Sequence, residues 1–253
     1  IRDSKCFVEY MPPKWSQGTI YYQIFPERFR KENPFYAPEN CVAWGSKPTA
    51  SNFMGGNLNG IRKSLSYLAE LGVECIYLNP VFASPSNHKY DTTDYYKVDP
   101  HFGSNEDLRI LVKEAHEKHI RVILDAVFNH TGTEFFAFAD LLKNQEKSEY
   151  QSWYHITCFP VREEADCYEC FFGFAGMPKL NTGNEKVQEY LLNVLEYWVR
   201  EVQVDGYRFD VIDEIDENFV LKIRDRLKRL NPELVLIGET WAEGKRLLLS
   251  LIH

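Results

Sequence analysis

Short apolar runs that alternate with amphipathic stripes restrict the fold of this chain more than any other feature. The apolar runs occupy residues 19–25, 73–78, 122–127, 206–211 and 234–239. Between them, apolar residues recur at helical spacing, most clearly from Val187 through Leu191 and Trp198 to Val202. Strands that alternate with helices are typical of βαβ units. The sequence therefore predicts an α/β fold with a parallel sheet.

The spacing of the predicted strands is uneven. The last two strands end near Asp210 and Glu239, which are 29 residues apart, about one βα unit. The preceding step, from Asp125 to Asp210, is 85 residues and too long for one such unit. We therefore predict a small inserted subdomain after the third strand. The boundaries that follow are 1–128 for the first part of the main domain, 129–183 for the insertion and 184–253 for its continuation.

Charge and composition exclude several classes of partner. The chain carries 29 Lys and Arg against 37 Asp and Glu, a formal charge of −8, which disfavours binding to nucleic acid. No apolar stretch approaches the ~20 residues that would span a membrane. Six cysteines in 253 residues do not form a dense disulfide framework, and the first residues show no signal-peptide pattern. These features predict a cytoplasmic protein.

Three carboxylates fall at or near the ends of successive predicted strands: Asp125, Asp210 and Glu239. Adjacent parallel strands lie about 4.8 Å apart, so Asp210 and Glu239 approach the ~5 Å spacing of the carboxyl pair in retaining glycosidases. Arg208 shares a face of its strand with Asp210 and is expected to hold that carboxylate ionised. Glu239 follows an apolar run and lies beside Trp241, a setting that suits a general acid. The alternative is that these are ordinary polar residues at strand ends.

Several motifs in these strands resemble the signatures of the alpha-amylase family, glycoside hydrolase family 13. They are DAVFNH at 125–130, GYRFD at 206–210, GETW at 238–241, GVECIYLNP at 72–80 and MPKLN at 177–181. The last of these resembles an extra signature of the neopullulanase, cyclomaltodextrinase and maltogenic amylase branch. The resemblance implies the N-terminal part, about five of eight strands, of a (β/α)8 TIM barrel.

The resemblance also implies catalytic roles for the matching residues. Asp210 would be the nucleophile that forms a glycosyl-enzyme ester, and Glu239 would act first as acid and then as base. Arg208 would orient Asp210. Asp125 and His130 would support the sugar at the point of cleavage.

The remaining site residues are implied in the same way. His88 and Tyr90 match a hydrogen-bonding histidine and a stacking tyrosine, and Glu214 and Trp241 are expected to contact substrate. Asn129 matches a structural position that is often near calcium in amylases, so calcium is an open possibility although no cofactor is expected to be required. The alternatives without a functional role are that Tyr90 is an aromatic residue packed in the core and that His130 is an exposed loop histidine.

The implied activity is that of a retaining α-glucan hydrolase with endo-type cleavage. Its expected substrates are α-1,4 and in some cases α-1,6 glucosidic bonds in maltooligosaccharides, cyclodextrins or pullulan. The family's third catalytic Asp comes from the seventh strand, and only 14 residues follow Glu239. We therefore expect a C-terminal remainder of the same enzyme, with a homodimer as a further possible partner. The alternative is a catalytically silent amylase-like fragment or a glucan-binding protein.

One cluster in the insertion suggests a metal. His155, Cys158, Cys167 and Cys170 have a spacing that could close a tetrahedral zinc site. The alternative is an aromatic-rich loop that holds reduced thiols, with no metal.

Overall fold

A computed structural model describes residues 12–34 and 36–241, and its centre is a parallel sheet of five strands in the order β1-β2-β5-β6-β7. The sheet strands are β1 (Tyr21–Ile24), β2 (Cys75–Leu78), β5 (Arg121–Ala126), β6 (Gly206–Phe209) and β7 (Val235–Gly238). Each matches one of the five predicted apolar runs, so the prediction of a parallel α/β sheet is confirmed. Residues 242–253, which the predicted last segment includes, lie outside the described part of the chain.

Helices connect and cover these strands. They are α1 (Pro26–Phe29), α2 (Leu58–Lys63), α3 (Leu65–Glu70), α4 (Asn105–Glu117), α5 (Phe136–Asn144), α6 (Glu185–Glu201) and α7 (Glu217–Leu230). Side-chain caps start the short helix α2 and most of the longer helices. The Asn57 side chain accepts from the Gly60 amide at α2. The Asn184 and Asp216 side chains accept from backbone amides in the first turns of α6 and α7. The α4 helix begins with a reciprocal capping box between Ser104 and Asp107.

The register of the strands brings the predicted site residues to one edge of the sheet. Asp125 pairs with Arg208, and Arg208 pairs with Ile237 on the next strand. One step further along, the amide of Glu239 donates to the carbonyl of Phe209 at 2.9 Å. Because parallel strands run in the same direction, the carboxyl ends of β5, β6 and β7 meet at this edge.

The two faces of the sheet bury different clusters. The outer face packs on the helices around a large core that includes Ile76, Leu124 and Trp198. The inner face holds a second, small cluster of Cys75, Ile123 and Val235. Side chains alternate along a strand, so Asp125 and Glu239 share the inner face with this small cluster. Cys75 is fully buried there.

Two features of the fold go beyond the predicted alternation of strands and helices. The connection from β1 to β2 contains two short helices, α2 and α3, and Ser64 is the C-cap of the first and the N-cap of the second. A hairpin of β3 (Phe82–Ala83) and β4 (Asp94–Val98) was not predicted, because a two-residue strand has no readable alternation. The segment 129–183 contains α5 with short 3-10 turns and isolated bridges, and it adds no strand to the main sheet.

Candidate active site

A single arginine connects the three predicted acids. Arg208 on β6 donates through Nη1 to Oδ1 of Asp125 at 2.8 Å and to Oδ1 of Asp210 at 2.9 Å. Its Nη2 lies 2.6 Å from Oε2 of Glu239. All three carboxylates therefore lie on the same side of the sheet, around one guanidinium. In most glycoside hydrolases, two carboxyl groups flank the bond that is cleaved.

Asp210 lies directly after β6 and is only 5% exposed. The pKa of Asp210 is raised to about 7, first by burial and then by the negative charges of Asp125 and Glu239. Arg208 lowers this pKa, as expected, but by less than burial and the two acids raise it. The arginine is shared among three acids, so its charge does not compensate the desolvation of Asp210.

The chain turns sharply after Asp210. Val211 has a left-handed backbone with φ 45° and ψ 53°, which is uncommon for a β-branched residue. In that conformation the Val211 amide donates to Oε2 of Glu239 at 3.1 Å. Strained backbone of this kind persists where the surrounding structure imposes it, and it is concentrated at functional sites.

Glu239 has a more polar setting than its sequence predicted. Its carboxylate, 31% exposed, contacts Arg208 and the Val211 amide instead of an apolar pocket. Trp241 does not cover it, because the indole is 58% exposed and stacks on Phe172 with ring centroids 5.1 Å apart. The prediction of an apolar environment was wrong, since the strand end exposes Glu239 to polar neighbours from the adjacent turn.

Asp125 is buried, and both of its carboxylate oxygens have donors. Oδ2 accepts from the hydroxyl of Tyr77 at 2.6 Å and from that of Tyr90 at 3.0 Å, while Oδ1 accepts from Arg208. Burial raises the pKa of Asp125, and Arg208 is the largest opposing influence. The Asp125 carboxylate thus connects Tyr77, Tyr90 and Arg208 by hydrogen bonds.

Two histidines border the same cleft. The Tyr90 amide donates to Nδ1 of His88 at 3.1 Å, and burial lowers the pKa of His88. Burial also lowers the pKa of His130, to about 4, so its ring is neutral at pH 7. The His130 ring stacks on Phe171 at 4.8 Å, and its buried Nε2 has no hydrogen-bond partner. A buried nitrogen without a partner is costly, and a ligand hydroxyl in the cleft would satisfy it.

These side chains line a cleft of about 240 Å³. Its lining consists of His88, Tyr90, His130, Phe171, Met177, Arg208, Asp210, Val211, Glu239 and Trp241. A second cavity of about 250 Å³ shares Phe171, Val211 and Trp241 with it. The two cavities adjoin at these three residues, and together they are called the groove below.

The predicted residues Glu214 and Asn129 line the second cavity. Glu214 forms an ion pair with Lys179 at 2.6 Å, which joins the insertion to the turn after β6. Asn129 has a buried Oδ1 without a hydrogen-bond partner, and its amide nitrogen lies 3.2 Å from Nδ1 of His130. One oxygen does not make a calcium site, and the described ranges contain no group of three or more His, Cys, Asp or Glu side chains placed to hold a metal.

The same finding applies to the zinc prediction. Within residues 12–34 and 36–241, His155, Cys158, Cys167 and Cys170 are not assembled as a ligand group. The Sγ atoms of Cys158 and Cys167 lie 2.8 Å apart, whereas Cys170 lies in an isolated bridge with Pro178 and faces the second cavity. The described residues therefore give the zinc prediction no structural support, because the spacing of these four residues along the chain does not correspond to convergence in space.

Sequence reasoning missed several residues of the site, and three of them had a readable signal. Phe171 and Phe172 line the groove, and Phe172 has a left-handed backbone at φ 47° with a side chain that is 66% exposed. Tyr77 on β2 is the third, through its hydrogen bond to Asp125. The run of aromatic residues at 168–174 was the available signal for Phe171 and Phe172. For Tyr77, the signal was its position two residues after Cys75, on the same face of the strand.

Comparison with known proteins agrees with this geometry. Residues 23–246 match the family of the alpha amylase catalytic domain. The chain is 50% identical over 237 residues to a cyclomaltodextrinase of Geobacillus thermopakistaniensis, covering 93% of this chain and 40% of the relative. It is 46% identical to the intracellular maltogenic amylase of Bacillus subtilis strain 168, covering 92% and 39%.

Further relatives belong to the same branch. Neopullulanase 2 of Thermoactinomyces vulgaris is 45% identical, covering 92% of this chain and 40% of the relative. A solved cyclomaltodextrinase structure superposes with a TM-score of 0.91 at 44% identity, covering 96% of this chain and 42% of that one. The chain thus spans about two fifths of the length of these relatives, and its sheet is part of a (β/α)8 barrel, as predicted. We conclude that the chain belongs to the alpha-amylase family, in the branch of cyclomaltodextrinases, maltogenic amylases and neopullulanases.

Proposed function

We propose that this chain carries the nucleophile and the acid–base of a retaining α-glucan hydrolase. The observation that supports this most directly is the convergence of Asp210 and Glu239 on the guanidinium of Arg208. Adjacent carboxylates on one side of a cleft are the requirement for double displacement. The names of the relatives, which include cyclomaltodextrinase and neopullulanase, support maltooligosaccharides, cyclodextrins and pullulan as substrates.

In the first step, the ionised Asp210 attacks the anomeric carbon, and the bond from that carbon to the glycosidic oxygen breaks. Glu239 donates its proton to the departing oxygen. In the second step, Glu239 takes a proton from water, the water oxygen attacks the anomeric carbon, and the ester to Asp210 breaks. Arg208 contacts both acids throughout, and neutralises part of the negative charge that they share.

The walls of the groove suit a sugar ligand. His130 offers an unpartnered Nε2, while Tyr90 and the stacked pair Phe172–Trp241 present aromatic rings. Flat rings with nearby polar groups match the apolar faces and the hydroxyls of a glucose ring. We assign His88 and Glu214 to further contacts with the glucan.

The wider biological setting is also a proposal. None of the described helices is both long enough and apolar enough to cross a bilayer. We propose a cytoplasmic location, which the name of one relative, intracellular maltogenic amylase, supports. We further propose a homodimer as the assembled form of the protein.

Asp210→Asn in the complete gene product tests the nucleophile. Maltose release from maltohexaose and β-cyclodextrin should fall by about 10⁴-fold or more, because the covalent step is lost. Asp225→Asn, an exposed carboxylate on α7 with 45% side-chain exposure, is the matched control and should retain parental activity. Substantial turnover by Asp210→Asn would refute the assignment.

Two further measurements complete the test: the stereochemistry of the released sugar and the activity of the 253-residue chain by itself. The first reducing sugar released should have the α-configuration in proton NMR, whereas a β-product would indicate single displacement and contradict the mechanism. The 253-residue chain assayed beside the complete gene product separates the hydrolase from the alternative, a silent fragment or a glucan-binding protein. Binding of maltotriose by both proteins with hydrolysis by neither would favour that alternative.

A further inference from the structure

A buried lysine separates two residues of the cleft. Lys89, between His88 and Tyr90, is fully buried, and its Nζ lies 2.8 Å from Oδ2 of Asp99. Nζ also donates to the carbonyl of Ser84 at 2.8 Å. A buried ammonium is costly unless it is paired and hydrogen-bonded, so its position requires these partners.

The backbone of Lys89 is also unusual. Its φ is 65°, in the left-handed region that long side chains rarely adopt. The surrounding loop supports this conformation, because the Lys89 amide donates to Oγ of Ser86 at 3.0 Å, and Oγ1 of Thr92 contacts the Lys89 carbonyl at 3.4 Å. A left-handed residue reverses the local direction of the chain. Here it lies between the two side chains, His88 and Tyr90, that line the cleft.

Asp99 ties this loop to the scaffold. It is 2% exposed and follows β4, and its carboxylate accepts from the amide of Ser84 at 3.1 Å and from that of His101 at 2.9 Å. Phe53 and Phe102 present their rings to the Lys89 ammonium at 5.4 and 5.5 Å. The ion pair is therefore enclosed, and it joins the loop, at Ser84 and Lys89, to Asp99, which does not line the cleft.

We propose that Lys89 is a positioning residue for the glucan site. Its ion pair with Asp99 holds residues 84–92 so that His88 faces the cleft and the Tyr90 hydroxyl reaches Asp125, which in turn contacts Arg208. Lys89 touches none of the reacting atoms. The kinetic consequence rests on the proposed function, whereas the anchoring of the loop does not.

The test uses the complete gene product with three variants. Lys89→Met removes the ammonium, and Lys89→Met/Asp99→Asn also removes the buried charge that would be left behind. The matched control is Lys228→Met, a lysine on α7 that is 7% exposed and donates to the Leu234 carbonyl at 2.6 Å, at the other edge of the sheet. The readouts are kcat and KM on maltotriose and hydrogen exchange of the amides in 84–92.

Both Lys89 variants should lose about 100-fold in kcat/KM, the scale of effect expected when binding groups are misplaced by about 1 Å. Amides in 84–92 should exchange at least ~10-fold faster in the Lys89 variants, because local opening becomes easier, and at the parental rate in Lys228→Met. Lys228→Met should retain kcat/KM within about threefold, whatever its melting temperature.

Either of two results would overturn the proposal. One is a folded double variant that exchanges at the parental rate and keeps parental kcat/KM. The other is an equal loss of kcat/KM in Lys228→Met at an equal drop in melting temperature, which would make the effect one of general stability. If the parent hydrolyses no glucan, the proposed function fails, and hydrogen exchange alone decides whether Lys89 anchors the loop.

Discussion

Replacing the proposed nucleophile should stabilise the protein at alkaline pH. Burial raises the pKa of Asp210 to about 7, from an ordinary value of 3.8. The folded state therefore binds the proton more tightly than the unfolded state does. By linkage, the stability that this group contributes is fully present below pH 3.8 and is lost as the pH rises through about 7.

The magnitude follows from the two pKa values. Between pH 5 and pH 8, the free energy of unfolding should fall by about 3 kcal/mol through Asp210 alone. Asn in its place does not titrate, yet its amide oxygen can still accept from Arg208. The stability of Asp210→Asn relative to the parent should therefore increase by about 3 kcal/mol over this pH interval.

Urea unfolding of both proteins at pH 5, 6, 7 and 8 measures this difference. The exposed control Asp225→Asn should track the parent at every pH. A difference between Asp210→Asn and the parent that stays constant with pH, or that decreases as the pH rises, would refute the burial argument. The proposed enzyme would then have an ionised nucleophile across this range at no cost to stability.

Three further predictions follow from the same contacts. The kcat/KM of the complete enzyme should fall as the pH decreases through about 7, because only ionised Asp210 attacks; a pH–rate profile that is flat down to pH 5 would contradict this. Tyr77→Phe removes a 2.6 Å hydrogen bond to buried Asp125 and should cost about 1–3 kcal/mol in urea unfolding, with Tyr22→Phe as the control. Trp241→Ala should raise KM for β-cyclodextrin about tenfold, since one stacking partner is lost, with the melting temperature little changed because the indole is 58% exposed.

Much of the fold could be predicted because its signals are local. A strand buried on both faces is an unbroken apolar run, and a helix that covers a sheet carries a stripe of period 3.6. These patterns placed all five strands of the main sheet, and the motifs at their ends identified Asp125, Asp210 and Glu239 as neighbours. The hairpin of β3 and β4 could not be predicted, because it depends on pairing between two separate segments and not on local alternation. The nearest ends of these segments, Ala83 and Asp94, are 11 residues apart.

The charge state of the site could not be predicted in the same way. The pKa of Asp210 depends on how deeply the side chain is buried and on how many acids share Arg208, and both quantities are set by strands that are distant in sequence. The zinc prediction lacks structural support for a related reason. The spacing of Cys158, Cys167 and Cys170 limits which ligands can meet, but the path of the intervening loop decides which of them do.

The amino-acid sequence determined the order of strands and helices and the type of residue at each strand end, because period and side-chain chemistry are properties of short segments. Only the tertiary structure decided which carboxylates share an arginine, that Phe172 and Trp241 stack across the groove, and that Lys89 is buried against Asp99. All of these contacts except that between Arg208 and Asp210 join residues from different segments of the chain. Their distances, burial and pKa values are properties of the packed molecule, and no single segment contains them.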